Sequence, residues 1–520
     1  MTIQEFTGRI VAEFGFEPTA DQASALQVFG SFLADRRDNC VMVLRGSAGT
    51  GKTSLAGAMM RTMSRLGQKL QLLAPTGRAA KVLSQSSGFP AFTIHRKIYR
   101  EKAYQGLDGQ FNLNDNRYRN TLFVVDEASM ISRGLGDMLG DTSSSATTFG
   151  SGSLLDDLVK YVYAGDNCRL LLIGDKAQLP PVGEEEAPAL SADTLQEYGL
   201  HVYQCDLNEV LRQSQDSGVL YNATVIRQMI THDEVTQLPR ITFKRFADIV
   251  QVPGDELIES LATSYSQVGM DDTIVVTRSN KRATVYNLGI RNTVLDREET
   301  LCHGDMLMVV RNNYYWTERE RAAQASLSPS PTQGETPTGM AFLANGDRAV
   351  VQRVRNIREL YGFRFADVWL SFPDYDDTEL QLTAVLDSLT TDAPALTREQ
   401  HERLFASVME DYADIPTKVE RMKSLRADPF FNALQVKFAY AVTCHKAQGG
   451  QWSHVYVDQG YMTDDMLTPS YIHWLYTAFT RATDKLFLVN WPKNQCQDEY
   501  PPTPNAPPCG PKNHRMGRLL

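Results

Sequence analysis

A parallel α/β architecture is predicted, and three stretches that share one pattern predict it: VMVLRGSAGTGKTS at 41–54, TLFVVDEASMIS at 121–132 and RLLLIGDKAQLPPVG at 169–183. Each opens as a short apolar run, the mark of a strand buried on both faces. Each then ends in glycine or a carboxylate, and open α/β sheets bind ligands at the carboxyl ends of their strands. At 520 residues the chain exceeds a single core and predicts three or four domains. Its net charge of −10, from 62 acidic and 52 basic side chains, excludes a global basic field. A local basic groove would still suffice to hold a nucleic-acid strand. The seven cysteines, Cys40, Cys168, Cys205, Cys302, Cys444, Cys496 and Cys509, form no CxxC pair, which suits a reducing cytoplasm and offers no metal-ligand spacing. With no basic-then-apolar leader and no membrane-length apolar run, a soluble cytoplasmic protein with no membrane partner is expected.

Residues 1–35 read as two amphipathic helices around FEPTADQ, with Thr19 capping the second and Gln22 in its first turn. An amide there, just ahead of the first buried strand, could read the donor and acceptor of an adenine edge, although a glutamine taken alone is usually a surface residue. The loop Gly46, Ser47, Ala48, Gly49, Thr50, Gly51, Lys52, Thr53, Ser54 fits GxxxxGK[ST]. Its backbone N–H groups would ring a phosphate, Lys52 would reach the terminal phosphates and Thr53 would hold Mg²⁺. Leu55, Met59, Met60, Met63 and Leu66 continue at helical spacing to the stop at Gly67, so a helix dipole adds to the site.

LQLLAPTGRAAKVLS at 70–84 predicts a strand, a loop and a helix with Pro75, Thr76, Arg78 and Lys81. FTIHRKIYR at 92–100 brings Thr93, His95, Arg96, Lys97 and Arg100 beside Phe92 and Tyr99. Cations with interleaved rings and hydroxyls suit a single strand, whose phosphates need charge and whose bases stack; the bland alternative is a solvated helix face. Residues 100–120 read as a small hairpin insertion with turn residues Gly106, Asp108, Gly109 and Asn114. Tyr104, Phe111 and Tyr118 are packing residues there, or one of them is a wedge against a duplex junction.

At the end of the second strand Asp126 is placed to hold Mg²⁺, and Glu127 to orient and deprotonate an attacking water. Residues 134–153, rich in glycine, serine and threonine, read as a flexible loop. The third strand ends in Gly174, Asp175 and Gln178, and Gln178 could touch both a γ-phosphate and the nucleic acid. Three strands converging on one nucleotide edge describe a RecA-type core. Arg212, in LNEVLRQS, could stabilise transition-state charge from across the cleft.

TIVVTRSN opens a second α/β unit within 225–300. From 301, HGDMLMVVRNNYYW and LANGDRAVVQRV, with the Asn345-Gly346 hairpin signal, predict a small β-barrel, and 396–432 reads as helical and polar. QASLSPSPTQGETPTG between those strands, and the proline-rich tail from Pro492, read as disordered. FNALQVKFAYAVTCHKAQGGQWSHVYVD returns to the α/β core with Thr443, His445, Lys446 and Gln448 clustered between strands. Arg481, before the last strand, is placed as an arginine finger facing the first core's nucleotide.

In order along 46–482, GSAGTGKT, APTGRAA, TIHR, VVDEAS, GDKAQLPP, LRQS, VTCHKAQGGQW and LYTAFTRA resemble a superfamily 1 (1B) helicase of the RecD-like, Dda-like branch. That resemblance implies two RecA-like P-loop domains closing over ATP with Mg²⁺, a β-hairpin insertion in the first and an SH3-like β-barrel insertion in the second. It assigns 1–99 and 121–222 to the first domain and 100–120 to a wedge. It assigns 223–300 and 433–491 to the second domain, 301–432 to the barrel and helical insertion, and 492–520 to a disordered tail. Translocation would run 5′ to 3′ on single-stranded DNA, with unwinding at single-to-double-strand junctions by a monomer. Gln22 would contact adenine, Lys52, Thr53, Asp126 and Glu127 would form the hydrolytic centre, and Gln178 would sense phosphate. Arg212 and Arg481 would be fingers, while Pro75, Thr76, Arg78, Thr93, His95, Thr443, His445 and Lys446 would line the DNA path. Gly450 and Gln451 fall in a nucleotide-side motif, but Gln451 stands where relatives carry glutamate, which weakens or remodels a ribose contact. The loops 134–153 and 324–339 also fall outside the family pattern. A P-loop kinase or remodelling ATPase, and a regulatory DNA-binding subunit without unwinding activity, are the competing readings.

Overall fold

Both N-terminal helices start on reciprocal capping boxes, Thr2 with Glu5 ahead of Ile3–Phe14 and Thr19 with Gln22 ahead of Ala20–Ala34. Their apolar faces, with Ile10, Leu26, Phe29 and Phe32 all but inaccessible, pack under the first sheet. Burying each such side chain stabilises the fold by about 1.5–3 kcal/mol. The structure, a computed structural model, describes residues 2–101, 110–134, 148–209, 216–231, 237–327, 340 and 342–497.

The first sheet is wholly parallel, in the order Ala91–Thr93, Lys69–Ala74, Thr121–Val125, Arg169–Gly174, Cys40–Gly46, His201–Leu207. Cys40–Gly46 lies between Arg169–Gly174 and His201–Leu207, and Thr121–Val125 is one strand further out. The three predicted strand ends therefore leave one edge side by side. Ile249–Val252, Ala482–Val489, Trp452–Asp458, Thr273–Thr277 and Ala441–Thr443 form a second parallel sheet. Between the second sheet's strands Thr273–Thr277 and Ala441–Thr443 the chain closes a five-stranded barrel from Met306–Val309, Arg348–Leu360, Phe363–Phe372, Thr378–Val385 and Leu434–Phe438.

Several boundaries differ from the expectation. Helix Gly218–Thr231 buries Val219, Ala223 and Ile226 in the same core as the second lobe, so the chain has crossed over before Gly218 rather than after residue 222. The barrel takes its fifth strand from Leu434–Phe438, past residue 432. Asn345-Gly346 does not join neighbouring strands of a hairpin. Gly346, at φ 96°, instead turns the chain into Arg348–Leu360, which pairs antiparallel with the distant Met306–Val309 on one side and with Phe363–Phe372 on the other. Tyr99–Glu101 pairs antiparallel with Gln110–Leu113, and Thr148–Phe149, from the stretch read as a loop, adds a parallel third strand. The tail is ordered past Pro492, because Cys496–Gln497 pairs with Ile241–Thr242. Tyr104, Arg212 and most of the 134–153 and 324–339 loops lie outside the described residues.

Candidate nucleotide site and nucleic-acid interface

Gly46 closes the central strand, and helix Lys52–Arg65 begins six residues later. The turn between them needs positive φ at Gly49 (77°) and Gly51 (73°), which glycine adopts without steric cost. At Gly46 a Cβ would come within 2.9 Å of Thr50 Oγ1 and 3.2 Å of the Leu207 Cβ, so only glycine leaves the cradle open. Lys52 Nζ donates to the Gly46 carbonyl (3.1 Å) and the Thr50 hydroxyl to the Ser47 carbonyl (2.8 Å), which sets the loop's curvature. Thr53 and Ser54 lie in the first helical turn behind it.

Gln22 is a strut beneath this loop. Its Nε2 donates to the Thr50 carbonyl (2.9 Å), its Oε1 accepts from Thr19 N–H (3.0 Å), and only 1% of the residue is exposed. One amide proton and one lone pair remain for any adenine edge.

Asp126 and Glu127 follow the strand Thr121–Val125. Asp126 Oδ1 accepts from Glu127 N–H (2.8 Å). Burial pushes the Asp126 carboxyl up to about 6, Glu127 pushes it the same way, and the Lys52 ammonium opposes both. Glu127 holds φ at 52°, a left-handed conformation that costs a side-chain-bearing residue about 1–2 kcal/mol. Such strain concentrates where a side chain must be aimed. The orientation of the Gln178 amide that satisfies both of its neighbours lets Nε2 donate to Glu127 Oε2 (3.2 Å) and Oε1 accept from Arg481 Nη2 (3.2 Å). Arg481, 3% exposed, also donates to the carbonyls of Thr477 (3.0 Å) and Gly450 (3.1 Å). A hydrogen-bonded chain thus runs from a second-lobe arginine to a first-lobe carboxylate.

Three further groups meet the loop. Asp175, 3% exposed, ends the neighbouring strand; burial raises its carboxyl, while Lys52 and a hydrogen bond from Tyr476 pull it back. The Tyr476 hydroxyl donates to Asp175 Oδ2 (2.7 Å) and accepts from Ala48 N–H (3.0 Å). Arg227, on the second-lobe helix Gly218–Thr231, donates to Ser47 Oγ (2.8 Å). Gly46, Ser47, Asp175 and Arg227 share one groove of about 840 Å³. An arginine spaced behind LRQS was the available signal for Arg227, but nothing local marks which lobe it joins.

Among the described residues no group of three or more His, Cys, Asp or Glu could hold a metal by itself. Mg²⁺ needs no such cage, since one or two carboxylates plus substrate phosphates suffice. Asp126 and Thr53 supply hard oxygen donors of that kind, and the buried carboxylate beside Glu127 is a site where a cation relieves repulsion. The residues present fit the ion.

A second site lies between the lobes and the barrel. Thr76 and Thr93 are N-caps, accepting from Ala79 N–H (3.2 Å) and Arg96 N–H (3.3 Å), and Pro75 precedes the first of them. Thr76, Arg78, His445 and Lys446 line one cavity of about 190 Å³ with the barrel's Asn345 and Arg348. Thr93 and His95 are not among its lining residues, and Thr443 instead ends the strand opposite Thr277. Burial holds His95 down at about 4, and lowers His445, so both are neutral imidazoles at pH 7. Burial, with Lys437 nearby, lowers Lys446 to about 8.

Gly450 and Gln451 are placed differently from the expectation. Arg78 lies 4.2 Å over the Trp452 ring and donates to the Gln451 carbonyl, while the Gly450 carbonyl takes Arg481. Neither Gly450 nor Gln451 lines the groove beside Ser47; their carbonyls tie Arg78 to Arg481. Tyr118 is a packing residue rather than a wedge, set edge-on to Phe123 (5.6 Å) and beneath the Lys97 ammonium (4.7 Å). The Tyr104 residue and the Phe111 side chain lie outside the described residues.

A loop of the P-loop pattern, two carboxylates and a cross-lobe arginine define a candidate nucleotide site built from both lobes. Residues 33–184 match the AAA domain model and 438–489 the UvrD-like helicase C-terminal domain model. An uncharacterized protein of Acanthamoeba polyphaga mimivirus is 22% identical over 86% of this chain and 95% of its own length. ATP-dependent RecD2 DNA helicase of Deinococcus radiodurans is 34% identical over 27% of this chain and 16% of its own. ATP-dependent DNA helicase dda of Enterobacteria phage T4 is 24% identical over 56% of this chain and 60% of its own. The chain thus spans less than two thirds of the two named helicases. Over parts of its length the chain is thus similar to helicase domains and to two ATP-dependent DNA helicases, RecD2 and Dda.

Proposed function

We propose that this protein is an ATP-dependent DNA helicase whose two RecA-like lobes close on Mg-ATP, draw a single strand through in the 5′ to 3′ direction and part the duplex ahead. The observation that carries the reading is the run Arg481–Gln178–Glu127, in which a second-lobe cation is one side chain away from a first-lobe carboxylate beside the phosphate loop. Dda and RecD2 are each named ATP-dependent DNA helicases. The polarity rests on the resemblance to their branch.

In this reading Lys52 and the loop amides hold the terminal phosphates, and Thr53 and Asp126 would hold Mg²⁺. When bound, that ion neutralises charge developing on the phosphate oxygens. Glu127 takes the proton of the attacking water, its aim fixed by its backbone and by Gln178. Arg481 stabilises the transferring phosphoryl group from the second lobe, with Arg212 or Arg227 as a second cation. Thr76, Arg78, Thr93 and His95 grip the strand on one lobe, and Thr443, His445 and Lys446 on the other. Alternating grip turns each cycle into a step, and a ring of the 100–120 insertion, Tyr104 or Phe111, meets the duplex.

Lys52→Ala is expected to abolish DNA-stimulated ATP hydrolysis with an unchanged melting curve. The intact chain is expected to unwind a duplex with only a 5′ tail, and not one with only a 3′ tail, when ATP is supplied. Full hydrolysis by the variant would refute the site; unwinding from the 3′ tail alone would overturn the polarity.

A further inference from the structure

Tyr476 lies on helix Pro469–Phe479, the helix that leads into Arg481, yet its hydroxyl sits on the other lobe's phosphate loop. The residue is 1% exposed, and a hydroxyl so buried needs hydrogen-bond partners. It accepts from Ala48 N–H (3.0 Å), donates to Asp175 Oδ2 (2.7 Å) and also meets the Ser47 side chain, all in the first lobe. The Ala48 amide belongs to the loop whose N–H groups ring a phosphate. One N–H cannot serve a tyrosine oxygen and a phosphate oxygen at full strength together. The next residue, Thr477, takes Leu179 N–H (2.8 Å) on its hydroxyl and Arg481 Nε (3.0 Å) on its carbonyl. Any shift of Tyr476 therefore reaches the contact that positions the finger.

From this geometry we infer that the Tyr476 hydroxyl is a positioning group which yields the Ala48 amide to a nucleotide's phosphate, so that filling of the loop is passed to the helix carrying Arg481. The inference rests on the ATPase reading above and adds the side chain that couples the loop to the opposite lobe. Asp175 is the second half of the device, since it keeps the released hydroxyl from being stranded without a partner. The lobes are thus linked across the loop by a bond that nucleotide itself displaces.

The test compares the full chain with Tyr476→Phe, titrating a non-hydrolysable ATP analogue in the absence of nucleic acid. Phenylalanine keeps the packing and removes the competitor, so the variant is expected to bind about three- to tenfold tighter, the worth of one ordinary hydrogen bond. Its ATP hydrolysis without DNA is expected to rise, and stimulation by DNA to shrink. A merely structural tyrosine predicts no gain in affinity, and equal or weaker binding by a variant with a normal melting curve overturns the inference. Should the variant not fold, hydrogen exchange in the natural chain decides: the analogue should raise exchange over 469–481, and no rise overturns it. Failure of the natural chain to bind the analogue through Lys52 would instead sink the ATPase reading.

Discussion

Asp126 is ionised against its surroundings, and that has a measurable sign. Burial and Glu127 raise its folded-state value to about 6 from an ordinary 3.8, with Lys52 only partly opposing them. The folded chain therefore holds this proton more tightly than the unfolded chain. The stability gained is complete below about pH 4 and is lost as pH rises through about 6. At pH 7.5 without Mg²⁺ or nucleotide, the ionised carboxylate costs on the order of 3 kcal/mol. Asp126→Asn is expected to melt several degrees higher than the natural chain at pH 7.5, with the difference vanishing near pH 4, and to lose ATP hydrolysis. Lower or equal stability at pH 7.5 would show that Lys52 and loop dipoles already balance the charge.

Single elements set how the three bodies meet, and helix Gly77–Ser87 is the clearest case. Lys81 donates to the Pro373 carbonyl at a barrel turn, and Tyr375 Oη bonds both oxygens of Asp347 (3.0 and 3.1 Å). A Cβ on Gly77 would lie 2.7 Å from Tyr375 Oη and 2.8 Å from Asp347 Oδ1. Gly77→Ala must therefore push the barrel from the first lobe, and overpacking of this kind costs about 1–3 kcal/mol. The expected result is faster proteolysis in the barrel turns and weaker single-strand binding, with ATP binding through Lys52 retained; unchanged cleavage would mean that Tyr375 swings aside freely. None of this contact was legible in the sequence, because Lys81 and Pro373 are 292 residues apart and neither belongs to a recognisable pattern. The phosphate loop was legible for the opposite reason. Gly46 to Thr53 is a local device whose strand, turn and helix are all written in adjacent residues. Asp126, Glu127 and Gln178 could be read as strand-end groups, but Tyr476 and Arg227 reach the loop across 428 and 180 residues, and only the folded chain reveals them. Gln22 was placed correctly as an N-terminal helix residue whose strut to Thr50 is again a long-range fact.

At the scale of the whole molecule, a net charge of −10 means that, in the proposed function, a strand would be held by a short path and not by a field. Arg78 comes from the first lobe, Lys446 from the second and Arg348 from the barrel, and all three line the same cavity of about 190 Å³. Crowding there disfavours charge: burial and Arg348 lower Arg78 to about 10, and burial and Lys437 lower Lys446 to about 8. A phosphate entering such a cavity relieves that repulsion, so these cations should engage few phosphates but engage them firmly. For single strands each phosphate neutralised contributes a slope of about −0.7 to log affinity against log salt. Replacing both Arg78 and Lys446 by Gln is expected to flatten the slope by about 1.4 at pH 7, measured by fluorescence anisotropy with a labelled oligonucleotide. Because the two residues sit on different lobes, each single variant should lose about half of that change only while the lobes remain together. A slope unaltered in the double variant would remove this cavity from the nucleic-acid path and move the grip to the surfaces around Thr93 and His95.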